Sequence, residues 1–197
     1  MKVTIIDGTH NKKWMTVKLI DEFVKWVRVK YNNAEITHYD LMNENIKPCM
    51  WCGKCTEDQD ADRGLCNIKW DKWEEIINKC LESDVIVFAT PIYEYCVSST
   101  MKRFLERCLP LGKFKFWIVP RSKVSKKKTG IILCVSGAPY PFNFLMWIAI
   151  YPKFILTKIA KFFGCGKIKS IFAWLMLGSE KMKNKYMKKA FELGQSV

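Results

Sequence analysis

Apolar positions along this chain alternate between a strand pattern and a helix pattern. Val3-Thr4-Ile5-Ile6 is a short β-rich run and reads as a first strand. From Thr16 to Lys30 apolar residues recur at Val17, Ile20, Phe23, Val24 and Val27, the stripe of an amphipathic helix. Ala34 to Tyr39 reads as a second, short strand. Asp71-Lys72-Trp73-Glu74 has capping-box spacing with Asp at the cap, which predicts a helix running to about Glu82. Asp84-Val85-Ile86-Val87-Phe88-Ala89 is apolar without break after its first residue, as expected of a strand covered on both faces, and Pro91 is expected to stop it. Ser98 to Cys108 predicts a helix, and Gly130-Ile131-Ile132-Leu133-Cys134-Val135 another buried strand ending at Ser136-Gly137. An apolar helix over Phe142–Phe163, a strand over Ile168–Leu177 and a helix over Glu180–Leu193 complete the pattern.

This βαβα order implies an α/β fold: a flavodoxin-like, doubly wound, five-stranded parallel sheet of order 2-1-3-4-5 with helices on both faces. The 197 residues suit one domain, 1–197, carrying a cysteine-rich loop at 49–66. The basic stretch Lys113–Lys128 is too short to mark a domain boundary. Ligands of such sheets bind beyond the carboxyl ends of the strands. The loops expected there are Asp7–Met15, the cysteine loop, Pro91–Val97 and Ser136–Pro141.

Composition narrows the functional classes. Hydrophobic residues make up 49% of the chain, which excludes global disorder. The net charge of +14 draws on Lys123, Lys126, Lys127 and Lys128 and on Lys181, Lys183, Lys185, Lys188 and Lys189. No nucleic-acid-binding motif accompanies these lysines, so they read as solvated surface. Phe142–Phe163 contains Pro152, Lys153, Lys158 and Lys161, which disfavours a membrane span. The N-terminal Met1-Lys2-Val3-Thr4-Ile5-Ile6-Asp7 lacks the apolar stretch of a signal peptide, so a cytoplasmic location is expected. In that compartment nine cysteines are not a disulfide framework.

Three loops carry candidate chemistry. Gly8-Thr9-His10-Asn11-Lys12-Lys13-Trp14-Met15-Thr16 joins strand to helix, where backbone N–H groups and the Thr9 and Thr16 hydroxyls suit a phosphate. Pro91-Ile92-Tyr93-Glu94-Tyr95 offers aromatic faces and hydroxyls to a planar ligand. Cys49, Cys52 and Cys55 at x2 spacing, with Cys66 after ten further residues, form a four-thiol set suited to a 4Fe–4S cluster. Zinc and a redox disulfide within Cys49–Cys55 stay open as alternatives. Cys80, Cys96, Cys108, Cys134 and Cys165 read as packing residues.

In this order, the phosphate-type loop, the cysteine loop, Asp84-x-Ile86-Val87-Phe88-x-x-Pro91-x-Tyr93 and Met101-Lys102-Arg103-Phe104-Leu105-Glu106-Arg107 resemble the NAD(P)H-dependent FMN reductase family, especially its iron–sulfur flavoprotein branch. The resemblance covers Lys2 to about Leu177, with most of its specificity in Cys49–Arg107. It implies FMN held by Gly8, Thr9, His10, Asn11 and Thr16, by Pro91, Ile92, Tyr93, Glu94 and Tyr95, and by Ser136 and Gly137. It also implies metal ligation by Cys49, Cys52, Cys55 and Cys66. The family's loop reads Gly-Ser-Pro-Arg; here His10 and Asn11 replace Pro and Arg, leaving Lys12 or Lys13 as the substitute phosphate partner. Lys102 and Arg107 match family positions read as structural.

The expected function is an FMN-dependent oxidoreductase or electron-transfer flavoprotein, in which the flavin carries the chemistry and no side chain acts as acid or base. NAD(P)H or a redox protein would donate electrons, and a quinone, free flavin or other acceptor would take them. A homodimer or homotetramer is implied, with neither nucleic acid nor membrane as partner. The alternatives are a flavin-free, zinc- or disulfide-stabilised protein of the same fold and a basic interaction protein.

Overall fold

The computed structural model describes residues 1–57, 66–114, 121–125, 127–138, 147–174 and 180–195. Its long strands are β1 (Lys2–Asp7), β2 (Glu35–Asp40), β3 (Val85–Tyr93), β7 (Lys128–Ser136) and β8 (Cys165–Trp174). Three two-residue strands lie between them: β4 (Cys96–Val97), β5 (Gly112–Lys113) and β6 (Arg121–Ser122). The helices are α1 (Met15–Lys30), α2 (Trp73–Glu82), α3 (Ser99–Glu106), α4 (Ile150–Phe162) and α5 (Glu180–Gln195). The long strands pair in parallel in the order β2-β1-β3-β7-β8, which is the expected 2-1-3-4-5.

Alternate residues of the central strands feed two cores. Ile86, Phe88, Ile132 and Cys134 pack on the face covered by α2, α3 and α4. Val85, Val87, Ala89, Ile131, Leu133 and Val135 pack on the face covered by α1 and α5. That two-sided burial is why β3 and β7 are continuous apolar runs.

Four local expectations are corrected. Pro91 does not stop β3, which continues to Tyr93. Beyond Asp7↔Ala89 the strand has lost β1, and β4 begins to pair only at Ile92, so Pro91 occupies an edge position where no N–H is required. Asp71 is not the N-cap of α2: Lys72 is, and the Asp71 carboxylate accepts the Trp73 N–H from just outside the helix while also serving Lys47 and Arg107. The apolar helix begins at Ile150, with Pro152 in its first turn, where a missing N–H is tolerated. The last strand begins at Cys165. The expected helix over 142–146 and strand end over 175–177 fall outside the described residues.

Candidate functional site

β1 delivers the chain to Gly8, which is clamped from two sides. Its N–H donates to the Ala89 carbonyl at 2.8 Å, and its carbonyl accepts from Ser98 Oγ at 2.6 Å and Thr100 Oγ1 at 3.3 Å. A Cβ here would lie 2.7 Å from Ser98 Oγ and 2.8 Å from Met101 Cβ, so the loop is pressed onto the start of α3.

Behind the loop lies a polar cluster that sequence reading missed. Asp7 Oδ1 accepts the Thr9 N–H at 2.8 Å, and Oδ2 lies 3.3 Å from both Lys12 Nζ and His38 Nε2. Lys12 also reaches Asp40 Oδ1 at 2.8 Å and the Thr9 carbonyl at 3.2 Å. Burial opposes the charge on Asp7, but hydrogen bonds from His38 and Thr9 and the Lys12 ammonium outweigh it and hold the carboxyl below its ordinary value. Lys12 therefore braces the loop from behind and is committed to two carboxylates. Of the two substitutes for the missing Arg, Lys13 is the one that faces the neighbouring cavity.

The hydroxyls of Thr9 and Thr16 are fully buried and have no hydrogen-bond partner among the described residues. Thr16 lies in the first turn of α1, whose N-cap, Trp14, contributes no side-chain bond and whose first turn holds no acid, and Thr9 lies in the loop that leads to it. The Asp7 carboxylate already takes the Thr9 N–H, so the groups left for a phosphate are these hydroxyls and the first N–H groups of α1. The FMN implied by the family resemblance fits these residues. Thr16 thus sits inside the first turn and is not the helix cap.

Next to this helix start opens a cavity of about 530 Å³, lined by Lys13, Trp14, Met15 and Lys18 of the first loop and α1, Ile92 and Tyr93 of β3, Val135, Ser136 and Gly137 of β7, and Lys183 of α5. Its size suits a ring system. Tyr93 is stacked with His10 (centroids 6.2 Å apart, 10° between planes) and meets Trp14 edge-on at 5.8 Å. Partial burial pushes the Tyr93 hydroxyl above its usual value. Glu94 and Tyr95 form the exposed turn into β4, with left-handed φ values of 44° and 62°. That geometry costs energy in non-glycine residues. Among the expected flavin residues, Ile92, Tyr93, Ser136 and Gly137 line the cavity, whereas Gly8, Thr9, His10, Asn11 and Thr16 of the first loop and helix start, Glu94, Tyr95 and the buried Pro91 do not. Asn11 turns back on its own loop, its Oδ1 accepting the Lys13 N–H at 3.0 Å. Trp14, Met15, Lys18 and Lys183 were missed; the only signal for Trp14 was an aromatic at the end of a βα loop.

Cys49, Cys52, Cys55 and Cys66 line a second cavity, of about 230 Å³, together with Met50, Trp51, Ile68, Glu106, Arg107, Leu109 and Pro110. The donor chemistry fits a thiolate-bound metal group. The expected cage is not closed, however: among the described residues no three such side chains converge enough to hold one ion. The Cys55 thiol is pushed up by burial and by the neighbouring Cys49, Cys66 and Cys52 sulfurs, so the four share one electrostatic environment. Behind them the fully buried Arg107 reaches Cys66 Sγ at 3.6 Å and stacks on Trp73 at 4.7 Å. Trp51 and Trp70 are exposed, while Trp73 is in the core. Cys80, Cys108, Cys134 and Cys165 are buried packing residues, as expected, and Cys96 is half-buried in β4.

Similarity to known proteins agrees with this geometry. The sequence profile of the NADPH-dependent FMN reductase family matches residues 1–140. An iron-sulfur flavoprotein of Archaeoglobus fulgidus is 24% identical over the whole chain, which spans 79% of that protein. One of Methanosarcina thermophila is 30% identical over 70% of this chain and 64% of its own length, and one of Methanocaldococcus jannaschii 30% identical over 56% and 53%. The structure of azoreductase AzrA aligns over all of both chains with a TM-score of 0.79 at 14% identity. That of the NAD(P)H:quinone oxidoreductase from Methanothermobacter marburgensis aligns over all of this chain and 96% of its own with a TM-score of 0.75 at 13% identity. These structures share the fold. With a matching profile over most of its length and a flavodoxin-like sheet, this chain belongs to the NADPH-dependent FMN reductase family.

Proposed function

We propose that the protein is an FMN-dependent oxidoreductase that takes electrons from NAD(P)H or a redox protein and passes them to a quinone, free flavin or another acceptor. The observation that carries this reading is the buried Thr16 hydroxyl in the acid-free first turn of α1, which like that of Thr9 in the preceding loop has no hydrogen-bond partner among the described residues, beside a cavity walled by Trp14, Ile92, Tyr93, Ser136 and Gly137. Bound FMN supplies the redox chemistry. The chain's own work is to hold and shield. Thr9, Thr16 and the first N–H groups of α1 take the phosphate, and the Asp7–Lys12–Asp40 pairing keeps their loop in place. Tyr93, Trp14, Ser136 and Gly137, which line the cavity, would hold the ring and keep water from it.

The four cysteines are the proposed site of an iron–sulfur cluster, a reading supported by their common cavity and by relatives named iron-sulfur flavoproteins. The chain is read as one domain acting in the cytoplasm as a homodimer or homotetramer. Exposed Met50, Trp51, Trp147, Tyr151 and Phe154 support a covering second subunit. No helix among the described residues is long and apolar enough to cross a membrane.

The test is the absorbance spectrum of anaerobically purified protein with iron and sulfide analysis. Flavin bands, or their acquisition with added FMN, are expected. Failure to bind FMN removes the oxidoreductase reading, and stoichiometric zinc without iron replaces the cluster with a structural metal site.

A further inference from the structure

The return from Cys55 to Cys66 spans ten residues, an unusually long way to bring back a fourth ligand. Its far end is fixed from behind. Arg107, just past α3, has no solvent-exposed side-chain surface. Its Nη1 donates to the Lys47 carbonyl at 3.3 Å and to the Asp71 carboxylate; its Nη2 donates to the Ile68 carbonyl at 3.2 Å and to Cys66 Sγ at 3.6 Å. Asp71 in turn accepts the Lys47 N–H at 2.9 Å and the Trp73 N–H at 3.3 Å. One guanidinium thus ties the chain just before the first thiol to the chain just after the last. Asp71 alone would neutralise the buried charge. The remaining contacts use the planar fork to fix geometry, which a lysine cannot reproduce.

The other three thiols stand on a different footing. Cys52 is exposed; Cys49 and Cys55 are half-buried, as Cys66 is, but their segment passes through left-handed conformations at Trp51 (φ 53°) and Gly53 (φ 73°). Among the described contacts of the four thiols, only that of Cys66 is with a buried cation.

We propose that Arg107 is the positioning residue of the cysteine site: it holds Cys66 as the fixed thiol onto which the Cys49–Cys55 segment closes when a thiolate-bound metal group is taken up. The proposal rests on reading the four cysteines as a metal site. Its step is ligand exchange, in which thiol protons are released to solvent as metal–sulfur bonds form, with no change in oxidation state.

The test titrates Co(II) into metal-free, full-length protein under anaerobic conditions and reads the thiolate-to-cobalt charge-transfer absorbance per bound metal. Wild type is expected to show a four-thiolate spectrum. Arg107→Met should lose about a quarter of that absorbance, as Cys66→Ser does, since one of four sulfurs leaves the set. The Arg107→Met/Cys66→Ser double variant should lose no more than either alone. Arg107→Lys keeps the charge without the fork, is the second variant should Arg107→Met fail to fold, and should show the same loss. A full four-thiolate spectrum in a folded Arg107 variant, or losses that add in the double variant, overturns the proposal while leaving the metal site standing. Wild type that takes up no cobalt overturns the metal-site reading and the proposal with it.

Discussion

Thr16→Val is the sharpest probe of the phosphate site, because its effects with and without flavin have opposite signs. The substitution exchanges a hydroxyl for a methyl on a β-branched frame of the same shape. In the flavin-free protein the Thr16 hydroxyl is fully buried and lacks a partner among the described residues. An unsatisfied buried hydroxyl costs about 1–3 kcal/mol, so removing it should stabilise the apo-protein by up to that amount. For a chain of 197 residues, each kcal/mol moves Tm by about 2–4 °C, so the apo Tm should rise by roughly 2–12 °C. With FMN the same hydroxyl donates to a charged phosphate oxygen, a bond worth about 1.5–3 kcal/mol. The variant should therefore bind FMN roughly 10- to 150-fold more weakly. Thermal melts of the apo-protein, paired with FMN fluorescence quenching for Kd, measure both sides. A lowered apo Tm or an unchanged Kd refutes the argument. General destabilisation lowers the apo Tm and weakens binding together, so it cannot mimic a more stable protein that binds less well.

Other outcomes follow from the same geometry. FMN at a hundred times its Kd should stabilise the wild type by about 2.7 kcal/mol, read as a concentration-dependent rise in Tm. Gly8→Val should cost about 1–3 kcal/mol in urea unfolding, because its Cβ would meet Ser98 Oγ at 2.7 Å and Met101 Cβ at 2.8 Å. Asp7 has a folded pKa below its unfolded value of about 3.8, so its stabilising effect is present above that pH and is lost as pH falls through the folded value. Asp7→Asn should accordingly be less stable than wild type at pH 7, and melts should show the gap shrinking below about pH 3.8. Iodoacetamide at pH 8 should label Cys49, Cys52, Cys55, Cys66 and Cys96 in the metal-free native protein but spare Cys80, Cys108, Cys134 and Cys165. Burial raises the thiols of that second group, Cys165 to about 12, and mass spectrometry of native against denatured protein reads the difference.

The fold was legible because its signals are local. Runs such as Val85–Ala89 and Ile131–Val135 can only be strands covered on both sides, and the helical stripe of Val17–Val27 needs no distant information. Where a local rule failed, tertiary pairing overrode it: Pro91 stays in β3 because that edge has no partner at its position. Ile92, Tyr93, Ser136 and Gly137 come together on one cavity for the same reason, since they follow directly from the ends of two recognisable strands.

What the sequence determined by itself is the alternation of strands and helices, the four-cysteine set, and the loops at the carboxyl ends of the strands. Only the tertiary structure decided how the charges pair. Asp7 and His38 meet across 31 positions, Arg107 and Asp71 across 36, and Arg107 and Cys66 across 41. In one dimension Asp71 looks like a helix cap and Arg107 like the charged end of an amphipathic helix. Periodicity shows which face of an element is apolar. It does not show which single charge has left water, because that depends on whether a partner from another segment waits inside to neutralise it.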